Sequence, residues 1–208
     1  EDNGLTVLDL RGRDYYDEAY DQLLDQIDFE GDKAKIIEYL THSNYYTPAI
    51  QSIGLPMIYH CEGANGVRVA TTEEGNKMTT TWCMSPLIAA SYNKELAYKV
   101  GEALAQEALA AGITTRYSPA FNIHRSPFSG RNMEYFSEDP ILSGRTVLNI
   151  INATSTGGMI DYIKHFALND QETNRGGTAC VCIWATEQAA RETYFRPFEL
   201  VIREARKT

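Results

Sequence analysis

The sequence has fewer positive than negative charges, few cysteines and no long hydrophobic run. Its 208 residues include 19 Lys and Arg against 28 Asp and Glu, a formal net charge of −9. Nucleic-acid binding normally requires a basic surface, so this balance argues against a nucleic acid as partner. No apolar run approaches the roughly 20 residues that cross a bilayer, which argues against a membrane partner.

The cysteines do not follow the spacing of a zinc site or a redox motif. No C-x-x-C pair occurs, and Cys180 and Cys182 lie too close together for an easy mutual disulfide. We interpret these two, together with Cys61 and Cys83, as reduced thiols of a cytoplasmic, bacterial-type protein. Because the first residue is Glu1 rather than Met, we expect the chain to be a processed or excised piece.

What is present is typical of a globular domain of ordinary size. Hydrophobic residues make up 43% of the chain and charged residues 23%, enough to build a real core. Aromatic residues make up 11%. Aromatic rings stack on the apolar faces of sugars, but they are more often core residues, so composition alone does not select a ligand.

Apolar periodicity divides the chain into helices and strands. Two short helices are predicted before about Thr41, with the apolar stripes Tyr16, Tyr20, Leu23, Leu24, Ile27 and Ile36, Ile37, Leu40. Further helices are predicted at 93–111 (inward Leu96, Val100, Ala103, Leu104), at 143–156, and at 186–206 with a bend at Pro197. Strands are predicted at 57–59, 113–121 and 159–166.

Each predicted strand is followed by a polar loop and then by a helix. This order predicts parallel βα units and a fold of the α/β class, a TIM-type (β/α)8 barrel, whose active site forms at the carboxyl ends of the strands. Three units are clear, and a fourth is expected within 66–92. Eight units close a barrel, so we expect about half of one: a helical lead-in at 1–53 and the first βα units at 54–208. The remainder is expected in another segment or chain.

The polar loops carry the candidate site residues. Glu62 follows the first strand in YHCEGANGVR and can accept hydrogen bonds from two sugar hydroxyls, although a solvated turn residue is the alternative. Lys164 and His165 end the third strand, where the alternative is a solvent-facing lysine and a core histidine. The second loop holds six residues that favour a network of ion pairs with one arginine left for a ligand: Arg125, Arg131, Arg145, Glu134, Glu138 and Asp139.

A metal site is the competing chemistry. His60, Glu62, His124 and His165 are candidate ligands, since barrel hydrolases use histidine and carboxylate groups for this purpose. No H-x-H or H-E-x-x-H spacing occurs, so we expect neither a metal nor another cofactor.

The adjacency of Lys164 and His165 conflicts with regular strand geometry. Neighbours on a strand point to opposite faces, so the two side chains can share a ligand only if the alternation breaks. We therefore predict a bulge, or a strained or cis peptide bond, at or beside this position. We interpret the polar residues at 169–175 as a brace, a set of side chains that holds this irregular backbone in place.

Three runs resemble a known family. LPMIYHCEGANGVR, FNIHRSPFSGRNMEYFSEDPILSGR and YIKHFALNDQETNR, in this order, resemble the barrel domain of family 3 glycoside hydrolases, the β-glucosidase group. The resemblance implies retaining hydrolysis of terminal β-D-glucosides or xylosides by a nucleophile and an acid/base. It implies that Glu62, Arg131, Lys164 and His165 bind the sugar, with Glu62 standing where the family usually has an aspartate.

The same resemblance implies that catalysis needs more than this chain. No residue here matches the family's nucleophile, which is expected after Thr208, or its acid/base. The continuation ALNDQETNR disfavours the N-acetylglucosaminidase type, which carries a glycine- and histidine-bearing loop there. The expected partners are a β-glucoside or related sugar and the remainder of the barrel. The alternative is a non-catalytic sugar-binding or self-associating half-barrel, and hence a homo-oligomer.

Overall fold

The chain divides into two compact units. A computed structural model describes residues 2–42, 45–68, 79–176 and 181–205. The first unit spans residues 1–60 and the second residues 61–208. The boundary predicted after residue 53, between a lead-in and the βα units, stays a prediction.

The first unit is built from short elements around a small core. Its helices are α1 (Ala19–Asp25) and α2 (Lys33–His42), with 3-10 turns at Val7–Leu10 and Gln51–Ile53. Strand β1 (Tyr46–Thr47) pairs antiparallel with β2 (Ile58–Glu62), Tyr46 opposite Tyr59.

Both helices predicted in this unit are present, but their apolar stripes are only partly buried. Leu23 is buried and packs with Ile50 and Ile53, whereas Tyr16 and Leu40 are 90% and 73% exposed. The predicted stripes therefore face the core only in part, because so small a unit offers few surfaces to pack against.

The second unit contains the remaining elements. They are α3 (Ser85–Ala90), α4 (Lys94–Ala110), β3 (Thr115–Tyr117), α5 (Pro140–Thr156), β4 (Ile160–Asp161), α6 (Glu187–Ala189) and α7 (Arg196–Glu204). A 3-10 turn at Asn132–Glu134 and a π-helical segment at Ala190–Tyr194 complete them. Of the predicted fourth unit at 66–92, residues 69–78 lie outside the described residues.

The two long helices begin at capping side chains. Asn93 accepts a hydrogen bond from the Leu96 amide at 3.0 Å and caps α4, so this helix begins where it was predicted, but Leu96 is 42% exposed and not inward-facing. Helix α5 begins at Pro140 and not at Ser143, because the Asp139 carboxylate accepts from two amides of the first turn, at 2.7 and 3.1 Å. Proline suits the first turn because an N–H at that position would have no acceptor within the helix, so proline loses no hydrogen bond there.

A parallel strand–helix–strand unit positions the loops of interest. β3 and β4 pair in parallel, with Thr115 opposite Ile160, and α5 connects them. Both strands are shorter than predicted, because the register slips by one residue: the Tyr162 amide donates to the Arg116 carbonyl at 2.8 Å, whereas the Lys164 amide donates to the Pro119 carbonyl at 3.1 Å. A single parallel bridge, Ala120 to Lys164, resumes the pairing further along. This bridge places the beginning of the second polar loop, which follows β3, beside the beginning of the third polar loop, which follows β4.

The predicted single helix at 186–206 is divided. The π-helical segment separates α6 from α7, and the interruption falls at Phe195, with Pro197 in the first turn of α7. Proline has no backbone N–H and is therefore tolerated in the first turn of a helix, so Pro197 lies at the start of α7 and does not bend a continuous helix.

The core of the second unit lies where α4, α5 and α7 pack together. Gly101 permits the close approach of α4 and α5, since a Cβ there would lie 2.5 Å from the Ile150 carbonyl oxygen. Within this unit, Arg116 contacts Asp161 at 3.0 Å with both side chains almost fully buried. No helix in the described ranges is long and apolar enough to cross a membrane.

The described cysteines are free thiols. Cys61 is buried, and burial raises the pKa of its thiol to about 11. Cys83 and Cys182 are exposed. The prediction for Cys180 lies outside the described residues.

Candidate functional site

Glu62 stands at the carboxyl end of β2, where the chain turns sharply. Gly63 has φ of 138°, and a Cβ there would lie 1.8 Å from the Gly66 carbonyl oxygen, so only glycine fits. The Arg68 amide then donates to the Glu62 carbonyl at 2.8 Å. This return holds the backbone of Glu62 in place, and its side chain is 38% exposed.

Lys164 meets Glu62 directly although 102 residues separate them in sequence. The lysine Nζ donates to Glu62 Oε2 at 2.7 Å, with the lysine side chain 15% exposed. A charge-assisted hydrogen bond of this length is among the stronger polar contacts in proteins. Two of the four predicted site residues are therefore in contact.

The backbone between Lys164 and His165 departs from strand geometry, as predicted. The peptide bond that joins them is cis. Asn122 holds the position from the side, since its amide donates to the His165 carbonyl at 2.6 Å and accepts from the His165 N–H at 2.8 Å. Asn122 is buried, so water cannot readily replace these two bonds.

His165 is partly buried, in a polar environment close to cations. Its Nδ1 is 3.3 Å from the hydroxyl of Tyr135, a fully buried residue. Burial, followed by the positive charges of Arg131 and Lys164, lowers the pKa of His165 to about 4. The imidazole is therefore neutral at pH 7 and offers one donor and one acceptor nitrogen.

Arg131 is held by carboxylates in a fixed orientation. Its Nε and Nη2 donate to the two oxygens of Glu134 at 2.8 and 2.7 Å, and its Nη1 lies 3.8 Å from Glu172. The side chain is 20% exposed. Since the bidentate pair uses one side of the guanidinium, Nη1 is the group with donors to spare for a ligand.

Five residues of the site were missed as such from the sequence: Asn122, Tyr135, Asn169, Glu172 and Arg175. The last three belong to the segment interpreted as a brace, and they do brace it. Glu172 accepts from Asn169 at 2.9 Å and from Arg175 at 3.0 and 2.8 Å. Burial opposes ionisation of Glu172, but these donors and the nearby Arg131 outweigh it and lower its pKa.

Arg175 is the residue whose role the brace interpretation understated. It is half exposed, shares Glu172 with Arg131, and its charge contributes to the low pKa of His165. The spacing offered a signal, because 169, 172 and 175 recur at intervals of three.

Three other charged residues of the second loop, Arg125, Arg145 and Asp139, have structural partners. Arg125 lies 3.5 Å from the buried Asp170, Arg145 pairs with Glu204, and Asp139 caps α5. A cavity of about 580 Å³ is lined by ten residues, among them Arg125 and Asp170. None of the four predicted site residues lines it.

The candidate metal ligands do not form a cluster within the described ranges. His124 Nε2 lies 2.9 and 2.8 Å from the carbonyl oxygens of Asn132 and Tyr135, which implies a donor N–H where a metal would need a lone pair. His60 Nε2 lies 3.0 Å from Thr47 Oγ1. No group of three or more His, Cys, Asp or Glu side chains in the part of the chain that the structure describes is arranged to hold a metal ion.

The assembled groups suit a neutral ligand rich in hydroxyls. Lys164 and Arg131 are donors, Glu62 is an acceptor, and neutral His165 can be either. A hydroxyl group both donates and accepts, so it can insert between Glu62 and Lys164 without leaving either charge unpaired.

Comparison with known proteins shows which family this chain is similar to. The glycosyl hydrolase family 3 N-terminal domain matches residues 32–208. Beta-glucosidase A of Butyrivibrio fibrisolvens is 39% identical over 155 residues, covering 74% of this chain and 18% of that protein. Beta-glucosidase B of Emericella nidulans is 38% identical over 172 residues, covering 81% and 20%.

Solved structures give the same relationship. β-Glucosidase 3B from Thermotoga neapolitana, in complex with α-D-glucose, is similar with a TM-score of 0.75 and 31% identity, covering 90% of this chain and 28% of that chain. The β-glucosidase from Kluyveromyces marxianus in complex with glucose has a TM-score of 0.75 at 28% identity, covering 89% and 22%. These matches confirm the predicted α/β fold of the TIM-barrel type. The chain spans about a fifth of the length of the curated relatives.

Proposed function

Because the chain belongs to glycosyl hydrolase family 3, we propose that it supplies the sugar-binding part of an enzyme that hydrolyses terminal β-D-glucosides or xylosides with retention. The named relatives are β-glucosidases, and two similar structures hold glucose. In this proposal Glu62, Arg131, Lys164 and His165 bind the sugar on the non-reducing side of the cleaved bond.

The observation that carries the proposal is the contact between Glu62 and Lys164. Residues 102 positions apart meet at 2.7 Å, and His165 follows Lys164 directly. An isolated surface ion pair contributes little to stability, so stability alone does not explain a half-buried pair at a loop junction. A hydroxyl that donates to Glu62 and accepts from Lys164 uses both groups fully.

The carboxylates near the site suit binding more than nucleophilic attack. Glu62 is paired with Lys164, Glu134 with Arg131, and Glu172 with Arg175. A nucleophile in a retaining glycosidase must face the anomeric carbon with a free oxygen. We therefore assign Glu134 and Glu172 to holding donors in place and Glu62 to accepting from a sugar hydroxyl, and the nucleophile stays a prediction for the sequence beyond Thr208.

Hydrolysis of aryl β-glycosides tests the proposal. The protein that contains this chain is assayed with aryl β-glucoside, β-xyloside and β-galactoside, as wild type, as Arg131→Ala, and as the surface control Arg191→Ala. Losing a charge-assisted hydrogen bond to the substrate costs about 1.5–3 kcal/mol, so Arg131→Ala should lower kcat/KM about 10- to 150-fold. Arg191, 70% exposed and paired only locally with Glu187 in the described contacts, should tolerate alanine.

The same assay separates the second candidate, a sugar-binding protein without hydrolytic activity. The complete pairing of the nearby carboxylates is the observation that favours it. A folded protein that binds glucose but cleaves none of the three substrates would replace the enzymatic proposal with this one. Unchanged kcat/KM in Arg131→Ala would remove the site assignment instead.

A further inference from the structure

The ring of His165 is held by a chain of hydrogen bonds whose direction can be worked out. The chain begins at Glu172, which can only accept when it is ionised, and Arg175 and Arg131 favour its ionised form. Asn169 lies next, 2.9 Å from Glu172. An amide oxygen facing a carboxylate would be repelled, so the nitrogen of Asn169 faces Glu172.

This orientation fixes the next bond. The Asn169 nitrogen also lies 2.6 Å from the Tyr135 hydroxyl, and nitrogen in an amide can only donate. The Tyr135 oxygen is therefore an acceptor in this contact, and its own hydrogen is left to be donated elsewhere. The remaining described partner of that hydroxyl is His165 Nδ1, at 3.3 Å.

The geometry points to Tyr135 and Asn169 as positioning residues that hold His165 in the tautomer protonated on Nε2. Tyr135 donates to Nδ1, so Nδ1 is the lone-pair nitrogen and the proton lies on Nε2. Burial and the surrounding cations keep the ring neutral, so the tautomer decides what the ring offers. His165 then presents an N–H donor toward a ligand.

The consequence for binding rests on the proposed sugar site. With His165 as a donor, Lys164, Arg131 and His165 all donate, and Glu62 is the acceptor among the four. The ligand atom that meets His165 must be an oxygen lone pair. A sugar that lacks the hydroxyl at that point loses an acceptor, and the N–H of the partly buried His165 is left without its ligand partner.

Nitrogen-15 NMR of histidine-labelled protein tests the tautomer directly. The sequence contains only four histidines, so a Gln variant of His165 identifies its signals. In the wild type, the His165 signals should be those of a neutral ring protonated on Nε2. A wild-type ring protonated on Nδ1 would overturn the inference without any variant.

Variants test whether Tyr135 is responsible. Tyr135→Phe keeps the ring and removes the hydroxyl, and the ratio of the two tautomers should shift by about fivefold toward Nδ1–H, as expected for one neutral hydrogen bond. Tyr194→Phe is the matched control, since Tyr194 is also buried, and it should leave the ratio unchanged. Equal ratios in wild type and Tyr135→Phe, or an equal shift in the control, would overturn the assignment. If Tyr135→Phe does not fold, Asn169→Ala takes its place, with a smaller shift expected.

The inference and the proposed function fail in different ways. If His165 is protonated on Nε2 but the protein neither binds nor cleaves a glycoside, the proposed function is wrong and the inferred hydrogen-bond chain still stands. An active glycosidase whose His165 ring is protonated on Nδ1 would support the proposed function and overturn the hydrogen-bond chain.

Discussion

Replacing Asn122 with alanine removes the side chain that holds the backbone of His165. The amide makes two hydrogen bonds, of 2.6 and 2.8 Å, to the carbonyl and N–H of one residue. Each such bond contributes about 1 kcal/mol, and a buried backbone group left without a partner costs about 1–3 kcal/mol. The free energy of unfolding should therefore fall by about 2–4 kcal/mol, a large share of a typical 5–15 kcal/mol.

Urea denaturation followed by circular dichroism measures this loss. Asn149→Ala is the matched control, because its amide makes one bond, to the Arg145 carbonyl within α5 at 2.8 Å, and should cost less than about 1 kcal/mol. Asn122→Asp provides a second check. Its carboxylate would place an oxygen against the His165 carbonyl where an N–H now donates. The free energy of unfolding of this variant should therefore be lower than that of the wild type at pH 7, and part of the loss should be recovered at acid pH, where the carboxylate is protonated. Equal stability of Asn122→Ala and Asn149→Ala would refute the reasoning.

Three further predictions concern the same unit. Arg116→Met leaves Asp161 buried without its cation and should cost about 3–5 kcal/mol in urea denaturation, and adding Asp161→Leu should recover part of it. The pKa of His165 lies below its unfolded value of 6.5, so its contribution to stability is complete above pH 6.5 and is lost as the pH falls towards 4. The stability–pH slope should flatten in that window in His165→Gln, and an unchanged slope would contradict the lowered pKa. Gly101→Ala would press a methyl group against Ile150 and should cost about 1–3 kcal/mol, whereas a melting temperature equal to wild type would show that α4 and α5 separate freely.

The helices were predictable where local chemistry sets their ends. The start of α4 follows from Asn93, a side chain that accepts from the first turn. The start of α5 differs from the prediction because two capping residue types, Asp139 and Ser143, lie within one turn of each other, and the folded chain uses Asp139, which is followed by Pro140. Strand ends were less predictable, since the apolar runs continue past the residues that pair.

The position of the site was predictable from the order of strands and helices along the chain. Loops that follow successive strands meet at one edge, so the contact of Glu62 with Lys164 followed from topology and not from spacing. The unusual backbone at Lys164–His165 followed from a conflict between strand alternation and a shared ligand.

The supporting residues could not be found in the same way. Asn122 lies between two apolar residues at the end of a predicted strand, and Tyr135 resembles any core aromatic. Both are buried, and their importance depends on which backbone or ring atom they contact. Only the folded chain shows those contacts.

The most direct test of the central claim is a calorimetric titration of the protein with glucose. The wild type should bind, Lys164→Met should bind at least tenfold more weakly because it loses a charged donor, and Lys99→Met, at an exposed position on α4, should match the wild type. Equal affinities of folded wild type and Lys164→Met would contradict the claim that Lys164 and Glu62 hold the sugar.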